Sequence, residues 1–231
     1  MCGRYYNRAD KQRIAEALKA KVQEPFEVRP TYNAAPQSVQ PVVRLDREGE
    51  RVLTQMRWGL VPAWAKDVKI GRSTVNARAE TVAKAPAFRD AFQRRRCLVP
   101  ASGFYEWMRL EGKTRQPYAV TVKDAEVIAF AGLWDRWKDP ANGEWLLTYT
   151  ILTTAPNELM EPIHDRMPVI VRPQDYARWL GQAPGPAGDP ERPPVDLLRP
   201  LPAEEMRAWK VGAAVGNVKN DSPQLCQEVW E

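Results

Sequence analysis

Histidine and cysteine, the side chains that hold most zinc ions in proteins, are scarce in this sequence. The 231 residues include one histidine and three cysteines, which stand at positions 2, 97 and 226 with no Cys-x-x-Cys pair. An odd number of widely separated cysteines argues against a disulfide framework, and the ligand spacing of a zinc site is missing. We therefore expect no metal, no other cofactor and a reducing compartment.

Long apolar runs are missing as well. No stretch approaches the roughly 20 residues that span a bilayer, and the N-terminus lacks the apolar segment of a signal peptide. We expect no membrane partner and a cytoplasmic location, or a nuclear one in a eukaryote. The formal net charge of +5 permits a polyanionic partner without requiring one.

The order of predicted elements indicates the fold class. Strand-like runs follow one another through short, hairpin-like connections and do not alternate with helices. This pattern predicts an α+β fold in which a mostly antiparallel, curved, barrel-like β-sheet is flanked by helices. The length suits a single domain over residues 1–231, and the Pro- and Gly-rich stretch 181–194 predicts a surface excursion.

Periodicity and turn residues predict the individual elements. A helix is expected from Asn7 or Asp10 to about Ala20, with Ile14, Ala15, Leu18 and Val22 on its apolar face. The predicted strands are 39–45 and 51–58, which form a hairpin, then 96–100, 103–109, 118–123, 127–133, 145–154 and 167–171. Helical segments are expected between 78 and 92, near 157–160 and over 174–180.

Cys2 is the first candidate for chemistry, because removal of Met1 would leave an α-amine and a thiol on adjacent carbons. These groups titrate near 8 and 8.5, against about 10.4 for a lysine amine, so part of the amine is nucleophilic at neutral pH. Both can add to one aldehyde carbon and close a five-membered thiazolidine ring, and the second addition is intramolecular. The alternative is an incidental cysteine in a frayed terminus.

Three further residues carry groups suited to proton transfer or oxyanion binding. Asn76 can donate to an oxyanion or hold a hydroxyl, or it can cap a helix that begins near Arg78. Glu106 lies between aromatic residues, which would raise its pKa, although strand alternation can also point it to solvent. His164 is the one side chain with an unperturbed pKa suited to proton transfer near pH 7, or it is a hydrogen-bonded structural residue.

Seven ordered segments resemble the motifs of a known family. They are MCGRY at 1–5, TYNAAP at 31–36, RWGLVPAWAK at 57–66, VNARAET at 75–81, CLVPASGFYEW at 97–107, IHDRMPVIV at 163–171 and AVGNVKND at 214–221. This set resembles the SRAP family, the SOS-response-associated peptidases or abasic-site-processing proteins. The resemblance implies a monomer that recognises abasic sites in single-stranded DNA and traps the exposed aldehyde covalently.

The resemblance also implies roles for individual residues. Cys2 would supply amine and thiol, Asn76 would position the sugar, Glu106 would assist ring opening, and His164 would move protons during imine formation and crosslink reversal. The implied DNA contacts are Arg4, Arg78, Arg166 and Thr153 on phosphate and sugar, Pro36 and Trp64 as a wedge against the strand, and Trp107 in the pocket. Cleavage by β-elimination and self-catalysed release of Met1 are implied side activities.

Two other classes of protein fit part of the pattern. An N-terminal-nucleophile amidohydrolase, such as a glutaminase, also begins Met-Cys-Gly and uses the thiol on an amide, but its further glycine-rich signatures are missing. A non-catalytic single-strand-binding module would use a basic groove and aromatic platforms and would form no covalent adduct.

Overall fold

The computed structural model describes residues 2–22, 26–112, 114–182 and 193–230. The strands in the described residues are β1 (Tyr5–Asn7), β2 (Lys21–Val22), β3 (Thr31–Ala34), β4 (Val39–Leu45), β5 (Arg51–Trp58), β6 (Asn76–Arg78), β7 (Arg96–Ala101), β8 (Gly103–Arg109), β9 (Arg115–Val122), β10 (Ile128–Lys138), β11 (Trp145–Thr154), β12 (Met167–Pro168), β13 (Ile170–Val171) and β14 (Met206–Lys210). The α-helices are α1 (Lys11–Leu18), α2 (Arg89–Arg94) and α3 (Tyr176–Leu180). Short 3-10 helices cover Val68–Arg72, Pro173–Asp175, Val195–Leu197, Ala203–Glu205, Ala213–Gly216 and Pro223–Cys226. Most of the predicted excursion at 181–194 lies outside the described residues.

Five strands of the larger sheet form a closed ring. β5, β4, β7, β10 and β11 pair antiparallel in that order, and β11 returns to β5 through a parallel pairing of Thr148 with Arg57 and Tyr149 with Trp58. A second sheet in the order β14-β9-β8-β1-β3 contributes Tyr5 and Phe104 to the same core. The predicted α+β architecture, with a mostly antiparallel, barrel-like sheet and flanking helices, is confirmed.

Local sequence signals account for the first helix and the first hairpin. Asp10 caps α1 by accepting a hydrogen bond from the backbone N–H of Arg13 at 2.9 Å, as its residue type predicts. Strands β4 and β5 have the predicted bounds, and Asp46 organises their turn by accepting backbone N–H groups of Glu48 and Glu50. The prediction for Val22 was wrong: α1 ends at Leu18, the following residue Lys19 adopts φ 51, and Val22 lies exposed in β2.

Three other sequence predictions are corrected by the structure. Asn76 does not cap a helix; it begins β6, which pairs in parallel with β11. Residues 157–160 form a turn, in which the backbone N–H of Met160 donates to the carbonyl of Asn157, and not a helix. The strand predicted over 167–171 is two short strands, because Val169 donates to Leu152 between them.

Aromatic packing in the barrel core fixes the position of the chain's N-terminal segment. The hydroxyl groups of Tyr5 and Tyr149 lie 2.9 Å apart, and the Trp58 ring stacks on Tyr149 with centroids separated by 6.2 Å. The indole N–H of Trp58 donates to the carbonyl of Val75 at 2.8 Å, just before β6. The start of β1 is therefore held against the strands that carry Asn76. Among the described residues, no helix is long and apolar enough to cross a membrane.

Candidate functional site

Strand pairing brings Cys2 next to Glu106. β1 is antiparallel to β8, with Tyr5 opposite Phe104, and the backbone N–H of Tyr105 donates to the carbonyl of Arg4 at 3.0 Å. Continued by two residues, this register carries the start of the chain to Glu106. Cys2 is fully buried, and burial raises the pKa of its thiol well above its ordinary value, with the Glu106 carboxylate raising it further. The thiol is therefore protonated at neutral pH.

Glu106 is a buried carboxylate whose proton affinity is tuned by its surroundings. Glu106 is 2% exposed. The alternative that strand alternation left open, in which Glu106 points to solvent, is therefore wrong. Burial raises its pKa from the ordinary 4.5 to about 7, because a carboxylate loses hydration in an apolar environment. A group that titrates near neutral pH can both accept and return a proton.

His164 faces Glu106 from the loop between β11 and β12. Its Nε2 lies 3.8 Å from Glu106 Oε2, and the backbone N–H of Arg166 donates to its Nδ1 at 3.0 Å. Asp165 Oδ1 also lies 2.9 Å from Nδ1, but that side chain is 88% exposed and can turn away, whereas the backbone donor is fixed. Nδ1 is thus the acceptor, and the neutral ring carries its proton on Nε2, toward Glu106. Burial lowers the pKa of His164, which favours that neutral form.

Asn76 presents a buried amide oxygen that has no hydrogen-bond partner among the described residues. Its Nδ2 donates to the carbonyl of Ile151 at 3.4 Å across the β6–β11 pairing. Because the carbonyl of Ile151 can only accept, Asn76 Nδ2 must face it, and Asn76 Oδ1 is left without a donor among the described residues. A buried acceptor without a donor costs free energy, so Asn76 is prepared to accept a hydrogen bond from a ligand hydroxyl.

Arg78 and Arg166 flank Thr153, the last residue but one of β11. Thr153 pairs with Arg78 in register, and its carbonyl accepts from Arg166 Nη2 at 2.6 Å. Glu80 binds Arg166 with both carboxylate oxygens, at 2.7 and 2.9 Å. Arg78 is exposed, and its side chain makes no ion pair with the described residues. Sequence reasoning did not single out Glu80, which neutralises Arg166, one of the three arginines predicted to contact phosphate or sugar.

Arg4 fastens the chain's C-terminal segment beside the start of the chain. Its Nη1 donates to Asn33 Oδ1 at 2.7 Å and to the carbonyl of Val215 at 2.8 Å, and its Nη2 donates to Gly216. Asn33 is buried, and its amide donates in turn to the carbonyls of Val215, Asn217 and Asn220. These contacts join the TYNAAP and AVGNVKND motifs, a structural role for Asn33 that sequence reasoning missed.

Trp107 lies at the entrance to the site. The guanidinium carbon of Arg4 lies 5.8 Å from the centre of the Trp107 ring. Trp107, Arg109 and His164 line a cleft of about 320 Å³ together with residues of the His164 loop. The cleft gives a ligand access to His164. Its charged lining includes Arg109, which sequence reasoning had not singled out, and the carboxylates of Glu161 and Asp165.

Pro36 and Trp64 lie on two neighbouring loops that are tied together at their base. Gln37 Nε2 donates to the carbonyl of Gly71 at 3.0 Å, which links the Pro36 turn to the end of the Trp64 loop. Gly59 has φ +122, and a Cβ there would lie 2.2 Å from Gly71 O, so only glycine permits this approach. Trp64 is 57% exposed. The predicted contact of Pro36 and Trp64 with DNA stays a prediction.

Comparison with known proteins agrees with the motifs. The family model described as SOS response associated peptidase (SRAP) matches residues 1–218. The abasic site processing protein YoqW of Bacillus subtilis is 42% identical over 98% of this chain and 99% of its own length. The abasic site processing protein HMCES of Gallus gallus is 35% identical over 85% of this chain and 65% of its own length. A crystal structure of a protein from Bacteroides thetaiotaomicron superposes with a TM-score of 0.87 and 27% identity, covering 99% of this chain and 100% of the other. This chain therefore belongs to the SRAP family.

Proposed function

We propose that this protein processes abasic sites in single-stranded DNA by forming a thiazolidine crosslink between Cys2 and the ring-opened sugar. The observation that carries the proposal is the buried Glu106, with a pKa of about 7, placed beside Cys2 and 3.8 Å from His164. The names of its relatives, abasic site processing proteins, agree with this substrate.

The reaction needs a free α-amine, so Met1 must be removed before Cys2 can act. The uncharged amine adds to the aldehyde carbon, and loss of one water molecule gives an imine. The sulfur then adds to the imine carbon while the thiol proton ends on the nitrogen. The product is a five-membered ring plus water, with no net oxidation or reduction, and the second step is intramolecular.

Proton transfers limit both steps, and the buried pair is suited to carry them. The thiol pKa is raised by burial, so the sulfur must lose its proton as it attacks. Protonated Glu106 can give a proton to the oxygen that leaves as water, while the Nε2–H of neutral His164 donates a hydrogen bond to that oxygen. The Glu106 carboxylate that results can then accept the thiol proton as the sulfur attacks. Asn76 would hold a sugar hydroxyl through its unpartnered Oδ1.

The same site would support two side activities. If ring closure by the thiol fails, the imine makes the neighbouring sugar protons acidic and permits β-elimination, which cleaves the strand as a lyase does. A peptidase activity would release Met1 from Cys2, either in the protein's own site or by a separate aminopeptidase. Both remain part of the proposal, as does action by a monomer on DNA in the nucleoid or nucleus.

The single strand would enter past Trp107 and lie along the loops of Pro36 and Trp64. Arg78 offers an exposed guanidinium for a phosphate, while Arg4 and Arg166 hold the walls of the site through their carbonyl contacts. An abasic nucleotide has no base, which lets its sugar enter a cleft of about 320 Å³. Binding of this kind should weaken as salt rises.

Intact-mass spectrometry after incubation with an abasic oligonucleotide tests the proposal. Protein that has lost Met1 should gain the mass of the oligonucleotide less one water. Cys2→Ala should lose the stable adduct, and an oligonucleotide with an intact base is the matched control. A normal adduct on protein with an acetylated N-terminus would show that the α-amine is not the nucleophile. Ammonia release from glutamine with no DNA adduct would favour the amidohydrolase instead.

A further inference from the structure

The barrel end remote from Cys2 carries an arginine–tryptophan face, composed of Arg44, Trp134, Arg136, Lys138 and Trp145. Alternation along β10 puts Trp134, Arg136 and Lys138 on one side of the sheet, and Lys138 is paired with Trp145 of β11. Arg44 joins them from β4, because β4, β7 and β10 are successive neighbours. The face is thus built on regular strands and not on loops.

Cations and indole rings alternate across this face. The guanidinium carbon of Arg44 lies 4.9 Å from the Trp134 ring centre, and that of Arg136 lies 5.0 Å from the Trp145 ring centre. The Lys138 ammonium lies 5.8 Å from the same Trp145 ring. Trp145 is nevertheless 60% exposed. An arginine stacked on tryptophan keeps its planar outer surface and its N–H groups available to a ligand.

Positive charge is concentrated beside these rings. A cleft of about 630 Å³ is lined by five arginines and two carboxylates, an excess of three, where the whole chain carries +5; the arginines are Arg44, Arg47, Arg94, Arg96 and Arg136, and the carboxylates are Asp46 and Glu48. Asp46 is already engaged by the backbone N–H groups of its turn. Within the described ranges, Arg47, Arg94, Arg136 and Lys138 form no ion pair.

The face is separate from the candidate site. Trp145 begins β11 and Thr153 lies near its end, so the two are roughly 25 Å apart at about 3.3 Å per residue. Neither Cys2, Glu106 nor His164 lines this cleft, and it shares no lining residue with the cleft beside His164. The face needs a function of its own.

We propose that the arginine–tryptophan face is a second binding surface for single-stranded nucleic acid. Phosphates would be held by the exposed cations Arg47, Arg94, Arg136 and Lys138, and bases would stack on Trp145 and on the guanidinium planes. Interleaved aromatic rings and exposed cations fit a strand with alternating bases and phosphates, whereas anionic lipid headgroups would require no stacking partner. The inference rests on the proposed function only in taking a DNA strand as ligand, and it does not require the crosslink.

Binding stoichiometry tests this inference without any lesion. An oligothymidylate of about six nucleotides is titrated against the protein at 50 mM salt by calorimetry. Unmodified protein should bind two strands per chain, whereas Arg136→Gln and Trp145→Ala should bind one. Lys138→Gln is a third variant at an exposed position, so the test does not depend on one substitution folding normally.

Arg207→Gln is the matched control, because Arg207 also lies over a tryptophan, 5.1 Å from the Trp209 ring centre, but is paired with Glu228. It should still bind two strands. One strand per unmodified chain that the face variants still bind, or two strands in every variant, would overturn the inference. One strand per unmodified chain that the face variants lose would support this face and count against DNA binding at the Cys2 end. Vesicles rich in phosphatidylserine serve as the alternative ligand, and vesicle binding lost in the variants with unchanged DNA stoichiometry would also overturn it. The proposed crosslink is scored separately, by adduct mass.

Discussion

The charged side chains at the two ends of the barrel differ in burial and in pairing. At the Cys2 end, most of the charged groups around the site are buried or engaged, with Arg78 as the exposed exception: Glu106 faces His164, Arg166 is held by Glu80, and Arg4 is held by backbone carbonyls. At the other end, Arg136 and Lys138 lie exposed over Trp145, without carboxylate partners in the described part of the chain. Buried groups acquire shifted pKa values and so can exchange protons at neutral pH, whereas exposed cations keep a permanent charge suited to binding.

The sharpest test of this contrast is Glu106→Gln, which removes the titrating group but keeps the side chain's shape. We expect crosslink formation to slow by roughly 10³-fold, within the range for loss of a general acid or base. The rate of unmodified protein should rise through about pH 7, as Glu106 ionises. Rapid-quench measurement of adduct formation from pH 5 to 9 checks both.

The control is Glu228→Gln, which alters a partly buried carboxylate paired with Arg207. Its rate and pH profile should match those of unmodified protein, as should the binding of intact DNA by both variants. If Glu106→Gln crosslinks at the normal rate with the same profile, the proton acceptor lies elsewhere.

Glu106→Gln should also stabilise the fold at high pH. Because the folded-state pKa of about 7 exceeds the ordinary 4.5, folding favours the protonated carboxyl. The full stability is present below about pH 4.5 and is lost as the pH rises through 7, at a cost of roughly 3 kcal/mol above that. Glutamine cannot ionise, so its melting temperature should exceed that of unmodified protein at pH 8.5 and not at pH 4. A difference independent of pH would contradict the assigned shift.

The sequence was sufficient to predict the elements whose signals lie within the element itself, such as alternation, a turn residue or a helix cap. The β4–β5 hairpin follows from alternation and the Asp46 turn, and α1 follows from its Asp10 cap and apolar face. By contrast, β6 is held by a parallel pairing with β11, far along the chain, and nothing near Asn76 reveals it. Because asparagine is a good helix-capping residue type, the sequence favoured a cap at Asn76, and this prediction was wrong.

The burial of Glu106 could not be predicted for a related reason. Alternation in β8 put Tyr105 and Glu106 on opposite faces, which normally means that one of them meets water. Here the C-terminal segment covers the Tyr105 face through Val215 and Leu225, while the barrel core covers the other. The motifs identified the candidate residues, but their pairing across the chain sets the environment that gives Glu106 and His164 their shifted pKa values.

Two asparagine-to-alanine substitutions, one near each end of the barrel, compare how much their hydrogen bonds contribute to stability. Asn33→Ala, at the Cys2 end, should lower the free energy of unfolding by about 2 kcal/mol, because buried carbonyls and Arg4 lose their partner. Asn142→Ala, in the exposed β10–β11 turn, removes hydrogen bonds to Glu144 and should cost less than about 0.5 kcal/mol. Urea unfolding measures both. Equal losses would mean that the contacts of Asn33 with Arg4 and the C-terminal segment contribute no more to stability than an exposed turn does.

The smallest expected effect concerns the charge balance at the Cys2 end. Glu80→Gln removes the carboxylate that holds Arg166, so Arg166 becomes available to a phosphate beside Arg78. Affinity for intact single-stranded DNA should rise about threefold at 100 mM salt, and the salt slope should steepen by about 0.7, the value for one added phosphate contact on a single strand. Glu126→Gln is the control, since Glu126 pairs with Arg13 in an exposed position. Fluorescence anisotropy across a salt series measures both variants. Equal gains in affinity for the two variants would mean that Glu80 acts only through the net charge of the protein. A gain confined to Glu80→Gln would show that Glu80 blocks Arg166 by direct pairing, whereas the exposed cations at the opposite end of the barrel have no such partner in the described part of the chain.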